Sequence, residues 1–215
     1  MNAAPPDFDA TFLEQFDALL CWRRDVRHFR TDEVPEPVMQ ELLAKVSLAP
    51  SVGNAQPWRL VRIGSRDLKT RIAEHVDRQR RAAADRYADA DQRAHYLSLK
   101  LHGVREAPQL LAVFSDEHPE TGHGLGIATM HEMLRYSTVM AIHTLWLAAR
   151  ARGIGLGWVS IVDPATIAAM LEVPDDWRLI ALLCIGYPDG PCATPELEQR
   201  GWQAREALKD RLFER

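Results

Sequence analysis

"APSVGNAQPWRL", residues 49 to 60, is the stretch on which the fold turns. Pro50 stops a helix, because it has no N–H to donate and its ring pushes the preceding residue towards extended backbone. Ser-Val-Gly-Asn, residues 51 to 54, is a turn by composition, and Pro57 with Trp58 locks the start of a strand. That strand reads "WRLVRIGS", Trp58 to Ser65, with Leu60, Val61 and Ile63 as its apolar residues and Gly64 as its stop. Ser51, Gly53, Asn54 and Gln56 leave backbone and side-chain donors free for a planar polar ligand. Taken alone, the same residues read first as the shapers of a tight turn.

Upstream lies "CWRRDVRHFR", Cys21 to Arg30, with four arginines in ten residues. The spacing of Phe12, Phe16, Leu19 and Leu20 predicts a helix over Thr11 to Arg23 that delivers these arginines at its end. Arg23, Arg24 and Arg27 at that spacing could converge on a phosphate through charge-assisted hydrogen bonds. Equally, they could pair at the surface with Asp25, Asp32 and Glu33. A second helix, Val38 to Leu48, is bracketed by Pro35 and Pro37 and closed by Pro50.

Downstream, Asp67 to Val104 is charged and alanine-rich, which predicts helix with a break near "YADAD". "QLLAVFSD" reads as a buried strand, and His118 to Thr129 as a loop or lid. Ser137 to Arg152 is apolar on nearly every side, as suits a helix in the protein centre or at a subunit interface, and Gly153 ends it. "GLGWVSIV" and "RLIALLCIGYP" are two more strands, separated by a short helix from Pro164 to Leu171. Helices and strands mix irregularly, which predicts an α+β fold, a helix-covered sheet in one domain spanning residues 1–215.

Several functions are excluded on the residues. With 26 basic and 30 acidic side chains the formal charge is -4, so no general surface for nucleic acid or an anionic membrane is expected. There is no run of eighteen apolar residues, and the start "MNAAPPDFDATF" does not read as a secretion signal, so the expected compartment is the cytoplasm. Cys21, Cys184 and Cys192 are odd in number and lack metal-type pairing, and read as reduced thiols. "GIGLGWVS" is not a dinucleotide fingerprint: counting from Gly153 the sixth position is Trp158, from Gly155 it is Ser160, and the segment follows a helix into a strand. His131-Glu132 is followed by Arg135 where a zincin needs its second histidine, and His118 with His123 has no third ligand, so no metal is expected. "RQRR", Arg78 to Arg81, reads as a solvated helix face, and Ser160 on its own as a strand hydroxyl.

An arginine pair with a third arginine near the N-terminus, followed about 25 residues later by a proline-serine turn ending in Asn-x-Gln-Pro-Trp, resembles the FMN-binding nitroreductase family. "RRDVRHF", "APSVGNAQPWR", "SLKLHGVREAP", "LWLAARARGIGLGWVSI" and "LCIGYP" with "PELEQRGW" resemble, in the same order, its 5,6-dimethylbenzimidazole synthase branch. The resemblance implies a nitroreductase-like fold, with a central, mostly antiparallel sheet covered by helices and a long buried helix at a homodimer interface.

It further implies that reduced FMN is the substrate and dioxygen the co-substrate. Cleavage would give 5,6-dimethylbenzimidazole, the lower ligand of vitamin B12, and erythrose 4-phosphate, with a separate flavin reductase supplying the reduced flavin. By the same resemblance Arg23, Arg24, Arg27 and Arg200 would hold the phosphate and the pyrimidine edge, Ser51, Gly53, Asn54 and Gln56 would cradle the flavin, and Leu101 would lie near its ring. Asp25 and Ser160 match the branch's catalytic pair. Ordinary nitroreductases resemble Arg-Arg-Ser where this chain has Asp25, and a carboxylate is a general acid or base where a serine hydroxyl is a poor one. Two other readings are an NAD(P)H-dependent flavin oxidoreductase, corrinoid reductases included, and a non-catalytic flavin-binding dimer.

Overall fold

A computed structural model describes residues 5–191 and 193–215. Four strands form one antiparallel sheet in the order β1-β2-β4-β3: β1 Trp58–Arg62, β2 Gln109–Asp116, β3 Gly155–Val159 and β4 Trp177–Gly186. Alternation along the central strands sorts the core into two layers, as period-2 side-chain placement requires. Leu111 and Val113 of β2 face one side with Leu183 and Ile185 of β4, while Leu110, Ala112 and Phe114 face the other with Leu182 and Cys184. A bulge between Val113 and Phe114 shifts the register, pairing Val113 with Ala181 but Phe114 with Leu179.

Seven helices surround this sheet among the described residues: α1 Ala10–Trp22, α2 Glu36–Lys45, α3 Arg66–Ala84, α4 Ala90–Ser98, α5 Met133–Ala151, α6 Pro164–Leu171 and α7 Glu196–Gln199. Their starts follow capping chemistry: Asp9, Ser65, Asp89 and Asp163 each accept the N–H three residues on. Helices α2 and α5 cover one face through Met39, Leu42, Ile142 and Leu145, and α3 and α6 cover the other through Ile72, Val76 and Ile167. The expected break near "YADAD" is the turn between α3 and α4, but residues 99–104 leave the helix. The first strand ends at Arg62 rather than Ser65, because Ser65 caps α3.

Two sequence expectations change. Within "RQRR", Arg80 is no solvated charge: its guanidinium donates to the carbonyls of Leu97 and Leu99, orphans at the end of α4. And α1, amphipathic as read, buries none of its residues. Phe8 stacks on Phe12 at 4.5 Å and Phe12 on Phe16 at 6.2 Å, all three exposed with Leu20 and Trp22 beside them. The all-round apolar character of α5 resolves into a buried stripe against the sheet and an outer side where Tyr136 and Val139 are exposed. Among the described residues no helix is long and apolar enough to cross a membrane.

Candidate active site

The arginine segment leaves α1 and is stitched into the sheet's edge. Val26 N–H donates to Leu156 O at 3.0 Å, Arg30 N–H to Tyr187 O at 2.9 Å and Asp189 N–H to His28 O at 3.0 Å, so residues 25–30 lie between β3 and the chain leaving β4. This approach explains the glycines of "GIGLGWVS": a Cβ on Gly157 would stand 2.0 Å from the Val26 carbonyl oxygen. Trp146 of α5 fixes the next link, donating Nε1–H to the Arg24 carbonyl at 3.0 Å while its ring underlies the Arg23 guanidinium at 4.8 Å.

Asp25 sits at the centre of this arrangement. Its Oδ1 accepts the Trp158 N–H at 2.7 Å and its Oδ2 accepts Arg27 Nε at 3.1 Å, with the guanidinium's Nη2 also 3.1 Å away. Burial raises the carboxyl above its ordinary value, outweighing the Trp158 hydrogen bond and the charges of Arg27 and Arg23 that act the other way. Such a group holds its proton to a higher pH than a surface aspartate. Arg23 is displaced downward, first by burial and then by its neighbours Arg24 and Arg205. Crowded cations of this kind favour an anion between them.

A cavity of about 370 Å³ opens on Arg24, Asp25, Arg27, His28, Glu196 and Arg200. A second, of about 330 Å³, shares Arg24, Asp25 and Arg27 and adds Arg23 and Arg205. The C-terminal segment closes over both: Arg24 donates to the Ala193 carbonyl, and His28 Nε2 meets Glu196 Oε1 at 3.2 Å. Arg27 also donates to the Lys100 carbonyl at 3.2 Å, which brings the backbone of Leu101 beside the cluster.

The turn of residues 51–56 lies elsewhere. Ser137 Oγ near the start of α5 accepts the Val52 N–H at 3.0 Å, and Ser51 Oγ accepts the Gln56 N–H at 3.1 Å. Gly53, Asn54 and Gln56 all have positive φ, at 54°, 55° and 48°, which holds the turn open. The loop from His118 folds onto it: Thr121 Oγ1 donates to Ala55 O at 2.5 Å, and a Cβ on Gly53 would meet the Leu125 carbonyl at 2.7 Å. Ser160 is exposed just beyond β3, two residues past the N–H that holds Asp25.

Thus the structure gathers Arg23, Arg24, Asp25, Arg27 and Arg200, places Leu101 next to them, and sets Ser51, Gly53, Asn54 and Gln56 at the other end of α5. Sequence reasoning missed Trp146, Trp158 and Arg205. The signal for Trp146 was present, since an indole N–H inside an apolar helix needs an acceptor. Among the described residues no group of three or more His, Cys, Asp or Glu could hold a metal ion. Cys21 is exposed, Cys184 is buried with its thiol pushed up to about 12 by burial, and Cys192 lies outside the described residues.

This arrangement, an arginine-lined cleft at the edge of an antiparallel sheet, is found in a chain whose residues 20–187 match the nitroreductase family, and the protein belongs to that family. Within it, the chain is 54% identical over 93% of its length to the 5,6-dimethylbenzimidazole synthase of Rhodospirillum rubrum, covering 94% of that protein. It is 47% identical over 92% of its length to the protein of the same name from Rhodobacter capsulatus, covering 95% of it. Among solved structures, an iodotyrosine deiodinase bound to FMN and 3-iodo-L-tyrosine is 26% identical, with a TM-score of 0.69 over 82% of this chain and 91% of that one. A BluB-like flavoprotein from Clostridium difficile 630 shares the fold at 20% identity, with a TM-score of 0.69 over 92% and 97%.

Proposed function

We infer that this chain is a 5,6-dimethylbenzimidazole synthase, an enzyme that cleaves reduced FMN with dioxygen to 5,6-dimethylbenzimidazole and erythrose 4-phosphate. The observation that carries the reading is Asp25, a half-buried carboxyl held between a backbone N–H and an arginine inside a cationic cleft. The residues fit the flavin: crowded guanidiniums at Arg23, Arg24, Arg27 and Arg200 suit its phosphate and pyrimidine edge, and an uncharged turn at Ser51, Gly53, Asn54 and Gln56 suits its ring. Leu101 supplies apolar surface beside it. The reduced flavin would supply the electrons that activate dioxygen, and its dimethylbenzene ring, two nitrogens and one ribityl carbon would form the benzimidazole, the other four ribityl carbons leaving as erythrose 4-phosphate.

The chain's own residues then have defined tasks. Asp25 accepts and returns protons at its carboxylate oxygens, with its upward displacement bringing it nearer the pH at which it works. Arg27 and the Trp158 N–H hold those oxygens in one orientation, and the Ser160 hydroxyl orients the substrate by a hydrogen bond. An NAD(P)H-dependent flavin oxidoreductase or a non-catalytic flavin-binding dimer would leave Asp25 without work. Because cleavage consumes the flavin, each turnover needs a fresh reduced molecule, which a separate flavin reductase would supply. Exposed Cys21 as a free thiol suits the cytoplasm.

The working form is a homodimer with two flavin sites, each lined by both chains. Supporting this are the exposed aromatic row of α1, the exposed Tyr136 and Val139 of α5, and the distance between the two halves of the site within one chain. Aerobic incubation with reduced FMN, followed by chromatography for 5,6-dimethylbenzimidazole, tests the activity. Intact, reoxidised FMN as the sole product would overturn it.

A further inference from the structure

Arg200 is exposed and sits at the C-terminal end of α7, a helix of only one turn. So short a helix does not hold a backbone in place on its own. What holds it comes from α4: His95 Nε2 donates to the Arg200 carbonyl oxygen at 2.8 Å. Two residues further on, the Trp202 ring packs edge-on against His95 at 5.5 Å and against Tyr87 at 5.8 Å, and lies 6.1 Å from Tyr96, which is buried. The Trp202 N–H turns back to the Leu197 carbonyl at 2.8 Å, closing the loop that contains Arg200.

The platform is itself anchored. Arg80 of α3 donates to the carbonyls at the end of α4, and Leu99 just beyond is buried. The C-terminal segment is therefore fastened at the cavity by Arg24 and His28 and, behind Arg200, by an α4 platform that touches neither cavity. An arginine fork recognises an anion by direction as well as charge, so a backbone free to swing would weaken it even with the side chain intact.

We propose that His95 and Trp202 are positioning residues for Arg200, fixing the backbone from which its guanidinium is presented to the flavin. The proposal rests on Arg200 being a flavin contact. It assigns the two residues no contact with the substrate.

The test is titration calorimetry of the intact protein with oxidised FMN, which needs no turnover, on single and double variants. His95→Leu should raise the Kd about three- to ten-fold, the range one hydrogen bond supports. His95→Gln, which keeps an N–H donor of similar reach, should stay within about two-fold by the same reasoning. In the Arg200→Ala background His95→Leu should add nothing further, because its effect passes through the missing guanidinium. Trp202→Leu should show the same coupling, and serves if His95→Leu does not fold. A role confined to stability would lower the melting temperature and leave the Kd of the folded protein unchanged, and would overturn the proposal. Losses that multiply in the double variants would overturn it too. If Arg200→Ala weakens FMN binding while neither His95→Leu nor Trp202→Leu does, the positioning role alone falls; if Arg200→Ala has no effect, its assignment as a flavin contact falls with it.

Discussion

The two ends of α5 hold chemically opposite halves of the candidate site. At Ser137 the helix secures a turn of uncharged donors, with positive φ at Gly53, Asn54 and Gln56. At Trp146, nine residues and about 14 Å along the axis, it secures a knot of arginines around one raised carboxyl. One end presents backbone geometry and the other presents charge and a proton. The difference teaches how one helix can order two chemically unlike surfaces, one uncharged and one cationic. Within one chain the two halves are separated along a helix whose middle is packed on the sheet.

The charged end should give the largest effect. Asp25→Asn keeps shape and much of the hydrogen bonding but accepts no proton, so reduced FMN should still bind while benzimidazole formation falls by about two to four orders of magnitude. Reoxidised, intact FMN should accumulate in its place. Formation at the wild-type rate would reduce Asp25 to a partner for Arg27. In the wild type, kcat/KM should rise with pH through an acid limb displaced upward from the ordinary carboxylate value, because burial keeps Asp25 protonated longer and only the ionised form is a base. A rate that stays level down through the ordinary carboxylate range would contradict that role.

Arg24→Ala should come next, weakening FMN by about 1.5–3 kcal/mol, the worth of a charge-assisted bond, and riboflavin by less because it lacks the phosphate. Equal losses would erase the distinction between the two ends. Gly53→Ala should weaken both ligands alike, by about 1–3 kcal/mol of backbone strain, since φ of 54° and a Cβ 2.7 Å from the Leu125 carbonyl both oppose it. Discrimination of FMN from riboflavin in that variant would show that the neutral turn reads phosphate. Trp146→Phe should have the smallest effect, about 0.5–1.5 kcal/mol in FMN affinity, because it removes one hydrogen bond to the Arg24 carbonyl and keeps a ring beneath Arg23.

The elements that periodicity governs were legible in the sequence. "QLLAVFSD" and Pro164 to Leu171 match β2 and α6 residue for residue, because a short unbroken apolar run and a capping aspartate are local signals. What covers an apolar face is not local. Phe12, Phe16 and Leu20 announce an amphipathic helix, yet nothing in their spacing says that this chain leaves them exposed. Arg80 looked like a solvated charge because its partners, the carbonyls of Leu97 and Leu99, become orphans only where α4 ends. The arginine cluster was visible as composition, but its order depends on Trp146 and Leu156, more than a hundred residues away, and no short-range pattern encodes such a meeting.

The seam at the cavity joins the first thirty residues to the last twenty-five. Arg24 reaches the Ala193 carbonyl, His28 reaches Glu196, and Trp202 docks on α4, all downstream of residue 187, where the match to the nitroreductase family ends. The consequence concerns proteolysis. Every strand and α5 lie before residue 187, so a protease that cut just beyond β4 would spare the sheet and the helices packed on it while removing one wall of both cavities.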